Sequence, residues 1–594
     1  MIRLRPARTL LAVVLIAIAW APAAARADWT TYRGDAGRSG VDSSSTGSVP
    51  FAAAWTSQNL GGAIWGQPLV HDGLVIAATE SDQVWALDEA TGHVVWRASA
   101  GTPVPSSGPG PHPGCGDISP TVGITSTPVI DPATNRVYVV ADTLTGSTIQ
   151  HKLYAYNLAD GSLVSGFPAN AEPPGDVPSD QLQRSGLALA GGQVVIGYGG
   201  NDGDCGNYHG WLVSVPETGG ALRSFEVEPN ASQGAIWGSG NAPAVDSSGD
   251  VWVATGNGSS GSSYGYQESV LKLGPSMNLL DHWAPSYFAS LDSSDADIGS
   301  SSPVLLPGGL VFEIGKQGRG YLLSASSLGG EGATPRQESS VCGGSWGGGI
   351  YDNGVIYVTC SDGLHALALN AAAGTFATLG GWQVNSAING PPIISGGLVW
   401  AADWTHGTLY GLNPQSGRTI VKQSTPGMEH FATPSASDGK LFLATGSTVE
   451  AYTIANPAGP GSTPSPPVAR CVLKLRSRRV KVHHPRRRKH AKHRPAPFAT
   501  VSLVAQCTQG GRVTLAGVVT EPIGKKRRHG KQRVRRIRLA KVHATLAAGA
   551  TRTIQLRLTP SLLSALEHRA RESGTFTLTL PGVTTARASG RLRT

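Results

Sequence analysis

The sequence repeats one short hairpin phrase along most of its first 454 residues. The clearest copy is Val84–Trp96, VWALDEATGHVVW, in which alternating apolar residues flank the turn formers Asp88, Thr91 and Gly92. This pattern is typical of a buried antiparallel hairpin. Weaker copies follow at Leu153, Leu212, Val270, Gly320, Leu364, Leu409 and Val449. Because one hairpin cannot bury its own apolar faces, eight copies predict eight similar sheets.

The spacing of the copies predicts how these sheets are arranged. Successive copies lie 69, 59, 58, 50, 44, 45 and 40 residues apart. Periods of roughly 40 to 50 residues with several short strands are typical of β-propeller blades. The phrase AAAWTSQ around Trp55 has no blade of its own, and pairing it with the last blade would remove exposed sheet edges. We therefore predict an all-β chain in which residues 28–456 form an eight-bladed β-propeller closed by an N-terminal strand.

Residues 1–27 resemble a secretory signal peptide. Arg3, Arg5 and Arg8 precede the apolar run Leu10–Trp20, and Ala25-Arg26-Ala27 offers an A-x-A cleavage site. The run is too short for a membrane anchor. We expect the segment to be removed, no transmembrane segment to remain, and the mature protein to be secreted, either free or held at the cell surface.

Cysteine usage agrees with export. Six cysteines in an exported chain favour disulfides over metal sites, and no Cys-x-x-Cys spacing suggests zinc. Sequence alone does not give the connectivity. Our hypothesis pairs Cys115 with Cys205, Cys342 with Cys360, and Cys471 with Cys507.

Charge divides the chain into two parts. From Arg470 to the end there are 30 Lys and Arg but three acidic residues, a net charge of +27, and the preceding part has 18 basic and 36 acidic residues, a net charge of −18. Between the two lies a Pro/Gly/Ser-rich stretch that cannot form a core, which predicts a linker at residues 457–470.

Residues 471–594 have the pattern of a second, basic domain. Several stretches alternate apolar and polar residues, and Pro560 opens a short helical segment that ends near His568. We predict a small β-sandwich of Ig-like kind with two basic loops, Arg486–Arg494 and Lys525–Arg538. Basic loops are often only solvated. The alternative is attraction to an anionic cell-envelope polymer, whereas the lack of interleaved aromatic residues argues against specific nucleic-acid recognition.

The hairpin phrase also carries a resemblance to a known family. VWALDEATGHVVW resembles the tryptophan-docking repeat A-x-D-x-x-T-G-x-x-x-W of the pyrroloquinoline quinone (PQQ) propellers, with Ala86, Asp88, Thr91, Gly92 and Trp96 in place. The opening WTTYRGDAGRSG is similar to the N-terminal phrase common in these propellers. The resemblance implies a PQQ-like, quinoprotein dehydrogenase-like propeller.

Within that family, the quinone dehydrogenases share a central block that implies cofactor contacts here. IWGSGNAPAVDSSGDVWVATGNG resembles the segment with the tryptophan floor under the quinone and the asparagine calcium ligand, which implies Trp237 and Asn257. The glutamate ligand of calcium in the family falls where this chain has Asp204. Trp65 stands in a nearly identical GAIWG phrase of a blade where no cofactor is expected, so a packing role for Trp237 stays open.

The same resemblance implies catalytic residues. LDSSDADIGSSSPVLL resembles the region that supplies the catalytic aspartate, with Asp295 and Asp297 as candidates. EIGKQGRGYLLS resembles the segment whose basic residue contacts the quinone oxygens, which implies Lys316. A planar tricyclic acid needs an aromatic floor, a cation to polarise its carbonyl and a carboxylate to take the substrate proton.

Two hypotheses follow from these residues. In the first, the protein is an oxidoreductase that uses PQQ and calcium to oxidise a small alcohol or sugar. In the second, it is a non-catalytic propeller scaffold for protein or cell-envelope interactions, anchored by its basic tail. The dehydrogenases of the methanol and ethanol type have two adjacent cysteines, which this sequence lacks. That absence favours the scaffold, whereas the matched site residues favour the enzyme.

Overall fold

The computed structural model describes residues 28–45, 51–107, 115–454, 471–477, 479–484, 496–507, 511–523, 533–546, 551–568, 572–580 and 586–593. The predicted signal peptide, the linker and the first basic loop lie outside these residues. The chain divides into two compact units, Met1–Gly461 and Ser462–Thr594. The boundaries predicted for the individual domains stay predictions.

The described part of the first unit contains eight sheets of four or five strands, numbered here in chain order. Sheet 1 has Leu69–His71, Leu74–Ala78, Gln83–Asp88 and Val94–Ser99; sheet 2 has Val129–Asp131, Arg136–Thr145, Thr148–Asn157 and Ala169–Asn170. Sheet 3 has Gln181–Leu182, Ala188–Ala190, Gln193–Gly200, Trp211–Pro216 and Arg223–Glu226; sheet 4 has Ala244–Val245, Val251–Ala254, Val270–Leu273, Leu279–Ala284 and Gly330–Glu331. Pairing is antiparallel except for the last strand of sheet 4.

The second half of this unit continues the series. Sheet 5 has Val304–Leu306, Leu310–Ile314, Arg319–Ser324 and Gln337–Ser340; sheet 6 has Ser345–Asp352, Val355–Cys360, Gly363–Asn370 and Thr375–Thr378. Sheet 7 has Ile393–Ser395, Leu398–Asp403, Thr408–Leu412 and Thr419–Ser424; sheet 8 has Ser435–Ser437, Lys440–Thr445, Thr448–Thr453 and, at its edge, Ala52–Thr56. Short elements between them are the pair Val104–Pro105 and Thr121–Val122, the α-helix Phe288–Asp292, and 3-10 turns at Pro178–Asp180, Gly238–Gly240 and Ile298–Ser300.

The cores of this unit lie between consecutive sheets. One cluster joins sheets 2 and 3, for example through Val140 and Val213, and others join each following pair up to sheets 6 and 7. The largest cluster contains residues of sheets 7, 8, 1 and 2, such as Trp400, Phe442 and Val75. The series of contacts therefore returns to its start, and each apolar sheet face is covered by a neighbour.

Tryptophans connect neighbouring sheets through the glycine of the docking phrase. The Trp96 indole, on the outer strand of sheet 1, lies over Gly161 of sheet 2, and its Nε1 donates to the Leu158 carbonyl at 2.6 Å. A Cβ at Gly161 would come within 2.6 Å of the ring. Trp55 covers Gly92 of sheet 1 in the same way, with Nε1 donating to the Glu89 carbonyl at 3.0 Å. The glycine is needed both for its positive φ and for this close approach.

Gly161→Ala is expected to destabilise the protein by roughly 2 to 4 kcal/mol, because the methyl group would collide with Trp96 and alanine disfavours positive φ. Gly249 offers a matched control, since its φ is +87° and a methyl group added there would have nothing within 4 Å. Gly249→Ala should cost only the backbone part, about 1 kcal/mol. Urea unfolding midpoints measure both, and equal losses would contradict the docking role of Trp96.

The segment Trp29–Ser45 connects sheets that are distant along the chain. Its backbone pairs with sheets 1, 2, 4 and 7 through Trp29 with Val70, Thr30 with Ile130, Ala36 with Val245, and Gly40 with Ile394. The buried Arg33 guanidinium donates to the carbonyls of Gly347, Gly348 and Gly349 at the start of sheet 6. This segment therefore connects sheets 1, 2, 4 and 7 through its backbone and reaches sheet 6 through Arg33.

The second unit contains two antiparallel sheets in its described residues. One has Cys471–Leu475, Lys481–His483, Phe498–Cys507 and Thr551–Arg557; the other has Gly511–Ile523, Arg533–Arg538, Val542–Leu546, Glu572–Thr579 and Ala586–Leu592. Both sheets and the helix Pro560–Glu567 contribute to a single hydrophobic cluster, which includes Val501, Leu515, Leu562 and Phe576. The Thr559 side chain caps the helix.

One prediction for this unit is wrong. The second basic loop, predicted as Lys525–Arg538, ends before Arg533, because Arg533–Arg538 is a strand that pairs with Val518–Ile523. The strand alternates buried and exposed side chains: Ile537 packs against the core, and Arg536 and Arg538 face solvent. The many arginines make this alternation difficult to recognise in the sequence.

Disulfides agree with the predicted pairing. Cys115 is bonded to Cys205, and Cys342 to Cys360, which confirms those two pairs. Cys471 is also disulfide-bonded, and its register partner on the adjacent strand is Cys507. Neither α-helix among the described residues is long and apolar enough to cross a membrane.

Candidate functional site

Five of the six predicted site residues line a single cavity of about 460 Å³ in the first unit. They are Asp204, Trp237, Asp295, Asp297 and Lys316. These side chains come from loops of sheets 3, 4 and 5 and are spread along the sequence from Asp204 to Lys316. The sixth, Asn257, contacts the cavity residue Asp297 directly.

Lys316 lies between the two candidate catalytic aspartates. Its Nζ is 2.6 Å from Asp295 Oδ1 and 2.6 Å from Asp297 Oδ2. The other Asp297 oxygen accepts the Asn257 backbone N–H at 2.6 Å. The side chain of Asp297 is 1% exposed, whereas that of Asp295 is 64% exposed. The two aspartates therefore occupy different environments, one in the wall of the cavity and the other at its rim.

Burial governs the electrostatics of this group. It raises the pKa of the Asp297 carboxyl, although the charge of Lys316 opposes the shift. Burial alone would lower the pKa of Lys316, but the charge of Asp297 and hydrogen bonds to both aspartates raise it to about 12. Burial together with the charge of Asp297 holds the pKa of the nearby Glu268 well above its ordinary value. Lys316 is thus a permanent cation among acidic groups.

Trp237 lies against backbone rather than in the packing between sheets. A Cβ atom added at Gly199 would lie 3.6 Å from the indole, and one added at Gly256 would lie 3.4 Å from it. The indole also contacts the Tyr208 ring edge to face. The glycines allow the ring to lie close to the chain while it borders the cavity. Trp65 lines the same cavity. From the sequence, no cofactor is expected at the blade of Trp65, but the structure brings the two GAIWG phrases to one cavity.

Asp204 and Asn257, the predicted calcium ligands, differ in their partners. Asp204 Oδ1 accepts the Tyr208 hydroxyl at 2.6 Å. Asn257 Oδ1 is buried and has no hydrogen-bond partner among the residues that the structure describes. The one described group of three or more acidic, His or Cys ligand atoms is Cys342, Cys360 and Asp362, whose sulfurs are joined in a disulfide. A calcium site that uses both Asp204 and Asn257 stays a prediction.

Sequence reasoning missed a cationic and aromatic wall opposite these residues. The buried Arg184 lies 5.2 Å over the Trp65 ring, and its Nη1 has no hydrogen-bond partner within the described chain. The His430 and Trp404 rings lie with their centroids 4.4 Å apart and their planes tilted by 40°, and His430 Nδ1 is 3.2 Å from Asp117 Oδ2. No motif marks these residues, since each lies in an unremarkable loop of a different sheet. Nη2 of Arg184 donates to the His430 carbonyl at 3.1 Å, and a buried guanidinium with a free Nη1 beside a cavity suits an anionic ligand.

Several non-glycine residues that border this cavity have positive φ. Asp204, Ser239, Asp295 and Phe431 line it and have φ of +53°, +45°, +49° and +62°. Non-glycine residues seldom adopt this region, and bulky ones least of all. Such conformations cost energy and cluster at binding and catalytic sites. The strain favours a functional role for the cavity over simple loop packing.

Comparisons with known proteins agree with the fold. Residues 41–261 match the PQQ_2 family model, described as outer membrane protein assembly factor BamB. No curated protein matches the sequence. The quinohemoprotein alcohol dehydrogenase of Comamonas testosteroni superposes with a TM-score of 0.54 and 15% identity, over 74% of this chain and 82% of its own.

Two further solved structures are similar. The quinohemoprotein alcohol dehydrogenase ADHIIG of Pseudomonas putida HK5 gives a TM-score of 0.53 and 13% identity, over 74% of this chain and 82% of its own. A europium-containing methanol dehydrogenase gives a TM-score of 0.52 and 11% identity, over 72% of this chain and 98% of its own. At these identities the likeness concerns the fold alone. Together with the family model, it confirms the resemblance to the PQQ-like β-propellers drawn from the docking phrase.

Proposed function

We propose that the protein is an exported quinoprotein-type oxidoreductase that binds PQQ in this cavity and oxidises a small alcohol or sugar. One observation carries the proposal: Trp237, Asp297 and Lys316 border a single cavity, and Asn257 holds the buried oxygen of Asp297. A scaffold has no need to bring an aromatic ring, a lysine and a buried carboxylate together at a strained loop cluster.

The residues fit a planar, anionic quinone. Trp237 offers an aromatic face at the cavity wall, and Lys316 and Arg184 supply positive charge for carboxylate or carbonyl oxygens. The cavity of about 460 Å³ is large enough for a tricyclic molecule. Calcium fits the cavity less well than the quinone does, because Lys316 already neutralises Asp297. Of the two predicted calcium ligands, Asn257 has an unpartnered buried oxygen, whereas Asp204 Oδ1 already accepts the Tyr208 hydroxyl.

The roles of the side chains follow from their environments. When bound, PQQ accepts the two electrons removed from the substrate. Asp297 is the proposed proton acceptor, because its buried carboxylate has a raised pKa and borders the cavity. Lys316 fixes the orientation of that carboxylate and remains protonated. Asp295, at the rim, stabilises the charge of Lys316.

The same proposal includes architecture and location. We infer that the eight sheets are the blades of one ring, which Ala52–Thr56 closes by pairing with Thr448–Thr453, and that the second unit is an Ig-like sandwich. Export is supported by the signal-like sequence and by the disulfides, which form in oxidising compartments.

Quinone binding is expected to raise the melting temperature of the purified protein, since a ligand that binds only the folded state stabilises it. Titration with PQQ, with and without calcium, measures the shift directly. Trp237→Ala should abolish it. Trp382→Ala is the matched control, because Trp382 docks on Gly417 away from the cavity and should lower stability while keeping the shift.

The two hypotheses give different results in this experiment. Binding lost on Trp237→Ala and kept on Trp382→Ala agrees with the oxidoreductase. No shift at any PQQ concentration, with or without calcium, would favour the non-catalytic scaffold.

A further inference from the structure

The larger sheet of the second unit has one solvent-facing surface made of hydroxyl side chains bordered by arginines. The strand register aligns residues of this surface in rows across the sheet. One row runs Arg536, Thr520, Ser573 and Arg591; the next runs Arg538, Val518, Thr575 and Ser589; the third contains Ala516, Thr577 and Arg587. We call these three rows the Arg/Thr face.

The intervening residues of the same strands are buried in the core, so the residues of the Arg/Thr face point to solvent. Val519, Leu515, Phe576 and Leu592 are all buried in the hydrophobic cluster of the unit. Because strand side chains alternate, their sequence neighbours must point outward. Accordingly Arg536, Arg538, Arg587 and Arg591 are exposed. Arg587 and Arg591 are four residues apart on one strand, about 13 Å.

Acidic residues do not neutralise this face. The chain from residue 470 onward has three, Glu521, Glu567 and Glu572. Glu521 is paired with Arg535 at 2.7 Å, Glu572 is fully buried, and Glu567 lies on the helix. The described part of the Arg/Thr face therefore contains no carboxylate. Its field is positive, and its arginines are available to an external anion.

We propose that the Arg/Thr face binds an anionic polysaccharide of the cell envelope. Arginines pair with carboxylate groups through two parallel hydrogen bonds, and the threonine and serine rows between them can donate to and accept from sugar hydroxyls. A nucleic acid fits less well, because the unit has no Trp or Tyr and its two Phe residues are buried or covered by Arg557. The rows of hydroxyl side chains across the sheet present a repeating surface to a repeating polymer.

The test measures binding of the full-length protein to a soluble polyuronate at low salt. The variant Arg536→Gln/Arg587→Gln/Arg591→Gln should bind about tenfold or more weakly, since three charge-assisted contacts are lost. The matched control Lys474→Gln/Arg476→Gln/Lys481→Gln removes the same charge from exposed positions of the other sheet and should change affinity by about threefold at most. Equal losses in the two variants would overturn the assignment to this face.

A second variant tests the chemical class of the partner. Thr575→Val/Thr577→Val keeps every charge and the shape of the face, and it should weaken polyuronate binding severalfold while leaving its salt dependence unchanged. No change in affinity would overturn the role of the hydroxyl rows. Tighter binding to duplex DNA or to phosphatidylserine vesicles than to the polyuronate would overturn the choice of a polysaccharide.

Discussion

Replacement of Arg33 by methionine is expected to destabilise the propeller unit by about 3 kcal/mol, because three hydrogen bonds to backbone carbonyls would be lost, each worth about 1 kcal/mol. The guanidinium is 1% exposed and donates to Gly347 at 2.9 Å, to Gly348 at 3.3 Å and to Gly349. Burial lowers the pKa of Arg33, because the charged guanidinium is removed from water. Denaturant unfolding followed by tryptophan fluorescence measures the loss.

Arg97→Met is the control for Arg33→Met. Arg97 is exposed on the outer strand of sheet 1, where its guanidinium lies 5.2 Å over the Trp85 ring. Loss of one exposed cation–π contact should cost about 0.5 to 1 kcal/mol. If Arg33→Met were no less stable than Arg97→Met, the segment Trp29–Ser45 would not hold the sheets together through this guanidinium.

Asp297→Asn is expected to reduce turnover by about 10² to 10⁴-fold if the proposed oxidoreductase function is right, because the amide cannot accept the substrate proton. Oxygen Oδ1 would still accept the Asn257 N–H, so quinone binding should persist. Dye reduction with an alcohol or sugar measures turnover, and the PQQ-induced melting shift measures binding. Loss of both together would point to a structural role.

Asp295→Asn separates the two candidate aspartates. The Asp295 side chain is 64% exposed and forms an ion pair with Lys316. Loss of its negative charge should therefore reduce turnover by about tenfold or less. A larger loss in Asp295→Asn than in Asp297→Asn would transfer the proton-accepting role to Asp295.

The pH profile provides an independent readout of this assignment. Because burial raises the pKa of Asp297, its carboxylate forms only above the range of an ordinary aspartate. Activity should therefore fall as pH decreases through that raised pKa, and it should recover as pH increases. Lys316, with a pKa of about 12, stays protonated near neutral pH, so its titration should not change the activity in that range.

Much of the fold could be predicted from short-range pattern. The docking phrase at Val84–Trp96 forms the hairpin of sheet 1, and Gly92 and Gly161 have the positive φ that its turn requires. The disulfides Cys115–Cys205 and Cys342–Cys360 are as predicted. The second unit was harder, since the dense arginines of Arg533–Arg538 hide the alternation of an edge strand.

The candidate site divides in the same way. Asp204, Trp237, Asn257, Asp295, Asp297 and Lys316 were found through phrases that resemble a known block of sequence. Arg184, Asp117, His430 and Trp404 belong to no such phrase, and their importance depends on the loops they meet. The sequence also left Asp295 and Asp297 equivalent, although one is at the rim and the other is buried.

The sequence by itself determined the repeating hairpins, the glycines in their turns and the contrast in charge between the two units, because each depends on residues close together along the chain or on composition. Only the tertiary structure decided that Trp65 and Arg184 border the same cavity as Trp237 and Lys316, and that Arg33 reaches sheet 6. Those contacts join residues that are far apart along the chain, and they form only when the sheets pack side by side and bring their loops to a common space.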